Sequence, residues 1–370
     1  MARKYRIGID VGGTFTDLVV ASEGGRLICL VKAPSRSRRP EEGVIDALGR
    51  AAAKLGIGVK DLLGDCERFV HGTTVATNAL LTRQGAKTGL LATEGFRDSL
   101  EIRRGLRENV WDHRAPNPPL LVPRYLRLPV GGRIGREGEE VAPLDEGAVR
   151  AAAEVFACEE VEAVAVCLFN AYLNPAHEER AEEILSEALP GAFIVLSSHA
   201  APIMGEYERS STAAVSAFLG PRISVSLREL EEALRGLGYA GPLMLLQSNG
   251  GMSTVAHCRR HPAALVLSGP AAGAAAIELE GRVHGSHAPV EARPEAGVII
   301  QPAIRVDVQL DPMEQAYPRV ALLDIAHDRS LLLELLPRHA VHADVLGVIG
   351  DGQVLVAALD CGRHELAQRS

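Results

Sequence analysis

The sequence lacks the features that mark membrane-spanning, secreted and nucleic-acid-binding proteins. Its 370 residues contain no apolar run near the roughly 20 residues of a membrane span, and the N-terminus has no signal-peptide core. The formal net charge of −8 argues against broad binding to nucleic acids or acidic membranes. We therefore expect a cytoplasmic protein whose partners include neither nucleic acid nor a membrane.

Paired cysteines are also missing. No Cys-x-x-Cys motif joins the 6 cysteines, so the pattern indicates reduced thiols in a packed interior and no zinc or redox site. The remaining composition, 47% hydrophobic and 23% charged, is typical of a soluble globular protein. The length is sufficient for two domains and a sizeable core.

A glycine-rich turn near the N-terminus carries the clearest chemical pattern. Residues 5–9 and 18–21 are typical of short strands, and Gly12 and Gly13 predict a tight turn between them. Paired glycines allow backbone N–H groups to approach a polyphosphate, because no Cβ blocks the way. The pattern predicts a phosphate-binding loop on a β-hairpin, with a plain hairpin turn as the alternative.

Four side chains in this turn support the phosphate interpretation. Thr14 and Thr16 supply hydroxyl donors, while Asp10 and Asp17 supply carboxylates suited to a hard cation such as Mg²⁺. We therefore predict Asp10 and Asp17 as the metal ligands and catalytic residues. A Walker A loop fits worse because no lysine follows Gly13, and a dinucleotide fingerprint fits worse because strand-like residues follow the turn.

A second hydroxyl-rich segment follows a short predicted strand at residues 68–70. Thr73 and Thr74 precede a predicted helix over 75–84, and Asn78 lies within it. Ligands collect at strand ends of α/β sheets, so we predict Thr73 and Thr74 as phosphate ligands and Asn78 as a substrate ligand. Helix capping by the threonines is an equally good and compatible interpretation.

The pattern beyond residue 41 alternates between strands and helices, which indicates a layered α/β fold. Two helices are predicted from 205 to 218 and from 222 to 237, separated at Gly220 and Pro221. Strands are predicted at 243–247 and 265–267, and an alanine-rich helix reaches residue 279. Each strand leads into a glycine loop, which predicts several loops around one nucleotide cleft.

These later loops and a basic stretch complete the candidate site. Asn249 and Gly250 are predicted to contact substrate, and Ser268 and Gly269 to offer donors to phosphate. Arg103 belongs to a basic stretch that suits an anionic substrate, although a solvated basic loop explains it as well.

Five ordered blocks of sequence resemble those of the hydantoinase A/5-oxoprolinase family, within the actin-like ATPase superfamily. The blocks lie at residues 9–17, 71–81, 206–209, 248–251 and 268–273. The resemblance implies an α/β, actin-like ATPase (ribonuclease H-like) fold with two subdomains. We expect an N-terminal domain over 1–198 and a hydantoinase A-type domain over 199–370 that diverges after about residue 290.

The same resemblance implies an activity, cofactors and a partner. Family members use ATP and Mg²⁺ to hydrolyse a cyclic amide such as 5-oxoproline or a hydantoin through carbonyl phosphorylation. They commonly act with a hydantoinase B-type subunit. The alternatives are a subunit of an ATP-dependent acetone or acetophenone carboxylase and a catalytically inactive, shortened family member.

The inactive alternative arises from residues 291–370. Family members carry a second glycine-rich phosphate loop after the block at 268–273, and no such motif occurs in this stretch. The nearest segments, 323–328 and 342–346, lack paired glycines, whereas 350–354 is typical of a turn between strands. The second half of the actin-like fold is therefore predicted to be incomplete.

Overall fold

A computed structural model describes residues 5–23, 25–36, 39–105, 111, 114 and 119–269. Beyond residue 269 it describes only strand backbones, at Ile299–Ile300, Ile304–Arg305, Ala321–Asp324, Ala343–Ile349 and Gln353–Ala358. The alanine-rich helix predicted up to residue 279 lies outside the described residues. Within the described ranges, no helix combines the length and apolar character that crossing a membrane requires.

The strands up to residue 254 form two main sheets and a short hairpin. They are β1 (Tyr5–Val11), β2 (Phe15–Ser22), β3 (Leu27–Pro34), β4 (Cys66–Thr73), β5 (Thr88–Thr93), β6 (Arg127–Val130), β7 (Arg133–Ile134), β8 (Glu140–Ala142), β9 (Ala163–Cys167), β10 (Phe193–Leu196), β11 (Leu243–Leu246) and β12 (Met252–Thr254). One sheet has the order β12-β11-β4-β1-β2-β3. Its β1 and β2 are antiparallel, whereas β4 runs parallel to β1 and β11 parallel to β4.

The second sheet has the order β10-β9-β5-β6, with all its strands parallel. All of β9 is buried, as expected for a parallel strand covered on both faces. In β1, by contrast, Ile7, Ile9 and Val11 alternate with more exposed residues, because that strand packs one face against the core. The short strands β7 and β8 pair antiparallel as a separate hairpin.

The helices pack on these sheets, and one of them belongs to both cores. They are α1 (Pro40–Leu55), α2 (Val59–Gly64), α3 (Val75–Leu81), α4 (Ser99–Ile102), α5 (Glu146–Cys158), α6 (Ala176–Ala188), α7 (Ser197–Ala200), α8 (Glu206–Gly236) and α9 (Val255–Arg260). Ala213 and Ala217 of α8 pack in the core of the four-stranded sheet. Leu219, Ile223 and Leu227 pack in the core of the six-stranded sheet. The single helix α8 therefore connects the two cores.

The continuity of α8 corrects the prediction of two helices. Pro221 lies inside the helix, so the loss of one backbone hydrogen bond does not end it. Gly220 lacks a Cβ, and that atom would collide with the Phe193 ring of β10. The dipeptide Gly-Pro usually ends a helix. Here α8 continues through it, because Gly220 packs closely against the sheet and the residues before it are buried.

The strand predicted at 265–267 is also wrong. Residues Pro262–Leu265 form a 3₁₀ helix that begins with proline, and Leu267 has a φ of 58°. Backbone N–H groups of Ala264 and Val266 donate to the carbonyls of His261 and Ala263. An apolar run of three residues is too short to distinguish a strand from a buried turn.

Two other expectations concern the rest of the chain. Strands Ala343–Ile349 and Gln353–Ala358 pair antiparallel on either side of residues 350–352, which confirms strands around the predicted turn. The predicted division between residues 198 and 199 falls within α7, and strands from both sides of it join the six-stranded sheet. That division stays a prediction.

Candidate functional site

The N-terminal hairpin has the form predicted from its glycines. Val11 pairs with Thr16 and Asp10 with Asp17, and the Gly12 N–H donates to the Phe15 carbonyl at 3.0 Å. A Cβ at position 13 would meet no atom within 4 Å. The turn therefore leaves open space at Gly13, as close approach of a ligand to the backbone requires.

Three segments of backbone converge on the Asp10 carboxylate. Asp10 pairs with Gly72 across the parallel strands β1 and β4. A Cβ at position 72 would lie 2.8 Å from Asp10 Oδ1, and one at position 269 would lie 3.9 Å from the same atom. The ends of β1 and β4 and residues 266–269 thus meet at one carboxylate, and the close approach of β4 requires the glycine at position 72.

Side-chain hydrogen bonds hold these segments in place. The Thr74 Oγ1 donates to the Val11 carbonyl at 3.1 Å and accepts from Asn78 Nδ2 at 3.1 Å. The buried Ser268 Oγ donates to the Thr73 carbonyl at 3.0 Å. Thr74 occupies the N-cap position of α3, but its hydroxyl makes no capping bond to the helix backbone, whereas Thr73 Oγ1 accepts from the Val75 N–H at 3.2 Å. Together these contacts tie the end of β1, the start of α3 and Ser268 to one another.

The two hairpin carboxylates have different electrostatic surroundings. Partial burial raises the pKa of Asp10, and the nearby Asp17 carboxylate raises it further. Asp17 instead accepts from Lys32 Nζ at 2.7 Å through Oδ1 and at 2.9 Å through Oδ2. Among the contacts of the residues that the structure describes, Asp10 therefore has no cationic partner, and burial disfavours its charged form.

This arrangement fits a divalent cation supplied together with a phosphate ligand. No cluster of three or more histidine, cysteine or acidic side chains within the described ranges is arranged to bind a metal. Mg²⁺ commonly takes one or two carboxylates and completes its shell with phosphate oxygens and water. Asp10 suits that role, whereas Asp17 would have to release Lys32 to share it.

Other predicted phosphate ligands lie on different sides of the hairpin. Thr14 is exposed in the turn, and its carbonyl accepts from the Ser35 N–H at 2.9 Å. Thr16 is fully buried, with its Oγ1 2.9 Å from Ser35 Oγ. Sequence reasoning treated the two threonines alike, but strand alternation places the Thr16 hydroxyl away from Asp10 and Asp17.

The predicted substrate ligands are not gathered in one place. Asn249 Oδ1 accepts from the Gly251 N–H at 2.9 Å, and Gly250 turns the chain there with a φ of 77°. This loop follows β11 in the six-stranded sheet. Arg103 follows α4, and the next residue, Arg104, pairs with Glu208 of α8 at 2.5 Å. Arg103 thus lies near the first turn of α8.

A polar cluster at that turn was not predicted from the sequence, in which residues 206–209 figure only as one block of the family resemblance. Arg209 is fully buried and its Nη2 donates to Glu206 Oε1 at 2.7 Å and to the Leu168 carbonyl at 2.7 Å. Cys167 Sγ lies 4.0 Å from Glu206 Oε2. The spacing of Glu206 and Arg209 along one helix face was the available signal.

Comparison with known proteins places this arrangement in a family. Two family models match, "Hydantoinase/oxoprolinase N-terminal region" over residues 6–189 and "Hydantoinase/oxoprolinase" over residues 209–289. The solved ATP-dependent caprolactamase from Pseudomonas jessenii is similar in structure, with a TM-score of 0.70 and 38% identity. That match covers 76% of this chain and 41% of the caprolactamase chain.

Relatives in sequence agree with this match. The caprolactamase subunit alpha of Pseudomonas jessenii is 40% identical over 73% of this chain and 39% of its own length. The acetophenone carboxylase gamma subunit of Aromatoleum aromaticum is 36% identical over 72% of this chain and 38% of its own. The chain thus spans about 40% of the length of these relatives. Its α/β, actin-like ATPase fold is confirmed, and the chain belongs to the hydantoinase/oxoprolinase family.

Proposed function

We propose that this chain forms the nucleotide-binding part of an enzyme that uses ATP to hydrolyse a cyclic amide. The observation that carries the proposal is the convergence of two strand ends and the turn at 266–269 on Asp10, with glycine at positions 72 and 269. Such a site offers backbone donors and open space to phosphate groups. Its likeness to an ATP-dependent caprolactamase supports ATP as the nucleotide.

Individual residues take roles that follow from their positions. In this proposal the N–H groups of Gly13 and Gly269 and the exposed Thr14 hydroxyl donate to phosphate oxygens. Asp10, assisted by Asp17, would hold Mg²⁺, which neutralises phosphate charge when bound. Thr73, Thr74 and Ser268 keep the three segments in register. Phosphoryl transfer requires mainly positioning and charge neutralisation, which these residues supply.

The proposed reaction has two steps. The amide carbonyl oxygen attacks the γ-phosphorus of ATP and ADP leaves, which converts a poor electrophile into an activated one. In the second step water adds to the carbonyl carbon, and the ring C–N bond breaks as the nitrogen takes a proton, which leaves an acyl phosphate. A second water hydrolyses this acyl phosphate to the carboxylate and free phosphate. Because the relatives are named as subunits of larger enzymes, we propose that a hydantoinase B-type subunit acts in the second step.

A ketone carboxylase subunit is the second candidate. The acetophenone carboxylase gamma subunit is 36% identical, close to the 40% of the caprolactamase subunit. Both reactions begin at a carbonyl oxygen, so the Asp10 site serves either one. Turnover assays with 5-oxoproline, a hydantoin, acetone and acetophenone, each with a B-type subunit, distinguish the candidates.

The primary test is calorimetric binding of Mg·ATP to the purified chain and to Asp10→Ala. We expect the affinity to fall by about tenfold or more, equivalent to about 1.4 kcal/mol. Asp46→Ala is the matched control, because Asp46 forms only an exposed ion pair with Arg50 on α1. Equal binding by wild type and Asp10→Ala contradicts the proposed site, and no binding by wild type supports the inactive, shortened alternative.

A further inference from the structure

The polar cluster around Arg209 lies where parallel sheets bind ligands. Cys167 ends β9, and Ser197 and Ser198 follow β10, so both strands direct their carboxyl ends toward this cluster. The first turn of the long helix α8 brings Glu206 and Arg209 to the same edge. Crevices outside the carboxyl ends of parallel strands are the usual ligand sites of α/β folds.

Arg209 has hydrogen-bonding capacity that the protein does not use. Its Nη2 makes all the bonds described for this side chain, to the Leu168 carbonyl and to both Glu206 oxygens. Its Nε and Nη1 are buried and have no hydrogen-bond partner. A buried guanidinium with unpaired N–H groups is costly, so these donors call for an acceptor that the folded chain does not supply.

The charges around Arg209 favour an uncharged acceptor. Glu206 is its direct ion-pair partner, and Glu178 is fully buried nearby with its charge interacting with both residues. Glu178 accepts from the Leu168 N–H, the Ser197 hydroxyl and the Ser198 N–H. Burial raises the pKa of the Cys167 thiol to about 12, so it adds no charge at neutral pH. Two carboxyl groups beside one cation disfavour an additional anion.

Two side chains connect the buried donors with the surface. The Tyr172 ring lies over the guanidinium, with its centroid 5.5 Å from Arg209 Cζ, and the tyrosine is only partly buried. The Glu206 side chain is 16% exposed, whereas that of Arg209 is 0% exposed. The cluster is therefore covered by residues that themselves reach solvent.

We propose that the Nε and Nη1 groups of Arg209 bind the carbonyl oxygen of an uncharged polar substrate, a ring amide or ketone, at the carboxyl end of β9. This site deepens the proposed function and rests on it, because it names the class of molecule that the ATP-dependent reaction activates. The substrate enters along Tyr172 and Glu206. It excludes carboxylate-bearing rings through repulsion by Glu206 and Glu178.

The test measures binding of pyrrolidinone, an uncharged ring amide, and of 5-oxoproline, the same ring with a carboxylate. Calorimetry is performed on the full chain with Mg²⁺ and a non-hydrolysable ATP analogue, whose own binding is measured first. Wild type is expected to prefer pyrrolidinone. Arg209→Met is expected to lose about tenfold or more in pyrrolidinone affinity, because it removes the donors to the carbonyl.

Glu206→Gln keeps the test decisive if Arg209→Met fails to fold. This variant preserves the shape of the side chain and leaves the Arg209 charge less compensated, so preference is expected to shift toward 5-oxoproline. Glu208→Gln is the matched control, since Glu208 pairs with Arg104 and makes no described contact with Arg209. Its ligand preference should equal that of wild type.

Two results would overturn the proposal. One is the absence of pyrrolidinone binding to wild type, which would mean that water accepts the hydrogen bonds of Arg209 Nε and Nη1. The other is a preference that stays the same in Glu206→Gln. Retained binding of the nucleotide analogue in either case would leave the proposed ATP-dependent function intact, whereas absence of nucleotide binding to wild type would refute that function itself.

Discussion

The two sheets carry polar sites of opposite construction at their strand ends. At the six-stranded sheet, the Asp10 carboxylate lies beside Gly72 and Gly269, whose missing side chains leave room next to it. At the four-stranded sheet, buried side chains pair around Arg209 and Glu178 but leave Arg209 Nε and Nη1 without a hydrogen-bond partner. The first site therefore depends on open space beside glycines, whereas the second depends on paired charges. Substitutions should affect the two sites in correspondingly different ways.

The largest effect is expected at Glu178, which sharpens the picture of the second site as a paired, buried network. Glu178→Ala leaves the Ser197 hydroxyl and two backbone N–H groups without their acceptor, so we expect the free energy of unfolding to fall by about 3–5 kcal/mol. Urea unfolding followed by circular dichroism measures it. Glu179→Ala, one position along α6 and exposed, is the control. Equal losses of unfolding free energy in Glu178→Ala and Glu179→Ala would contradict a stabilising role for the hydrogen bonds of Glu178.

Gly72→Ala is expected to have the next largest effect and tests the first site as open space. The new Cβ would lie 2.8 Å from Asp10 Oδ1 and 3.4 Å from Leu246 Cδ1. We expect Mg·ATP binding to be lost and the unfolding free energy to fall by about 1–3 kcal/mol. Gly49→Ala on α1 is the control, because a Cβ there meets no atom within 4 Å. Unaltered nucleotide affinity in Gly72→Ala would contradict the steric account.

Asp10→Asn examines the electrostatics of the first site through pH. The pKa of Asp10 is raised above its ordinary value of 3.8 in the folded state, so ionisation of this carboxyl destabilises the native protein. The resulting loss of unfolding free energy is absent at pH below 3.8, the ordinary pKa, and is complete once the pH exceeds the raised pKa of the folded state. The variant should therefore gain stability over wild type as the pH rises through this range. Unfolding free energies measured from pH 3 to 8 would show a constant difference if Asp10 were unperturbed.

The smallest effect is expected for Lys32→Met, which removes the cation from Asp17. Both side chains of this ion pair are about half exposed, so stability should change by less than about 1 kcal/mol. Freed from Lys32, Asp17 is expected to share Mg²⁺ with Asp10 and to strengthen Mg·ATP binding. Lys54→Met, on α1, is the control because Lys54 contacts a backbone carbonyl only. Weaker nucleotide binding in Lys32→Met than in Lys54→Met would assign Lys32 itself to phosphate.

The hairpin that carries Asp10 and Asp17 could be predicted from the sequence, whereas the cluster around Arg209 could not. Gly12 and Gly13 signal a turn locally, and the strand-like residues on either side predict a hairpin with Asp10 and Asp17 next to that turn. The unpaired donors of Arg209 arise only when β9, β10 and α8 pack together, so no local pattern reveals them. The same limitation explains the error at Pro221, where packing on both sides of α8 overrides a helix-breaking signal.

The membership of α8 in both cores has a consequence for unfolding. Val215 and Phe218 lie in the core of the six-stranded sheet, while the intervening Ala217 lies in the core of the four-stranded sheet. If one core unfolded, residues of these turns of α8 would become exposed. The same turns would then no longer stabilise the other core. We therefore expect the two sheets to unfold together in a single cooperative transition, in spite of their separate strand networks.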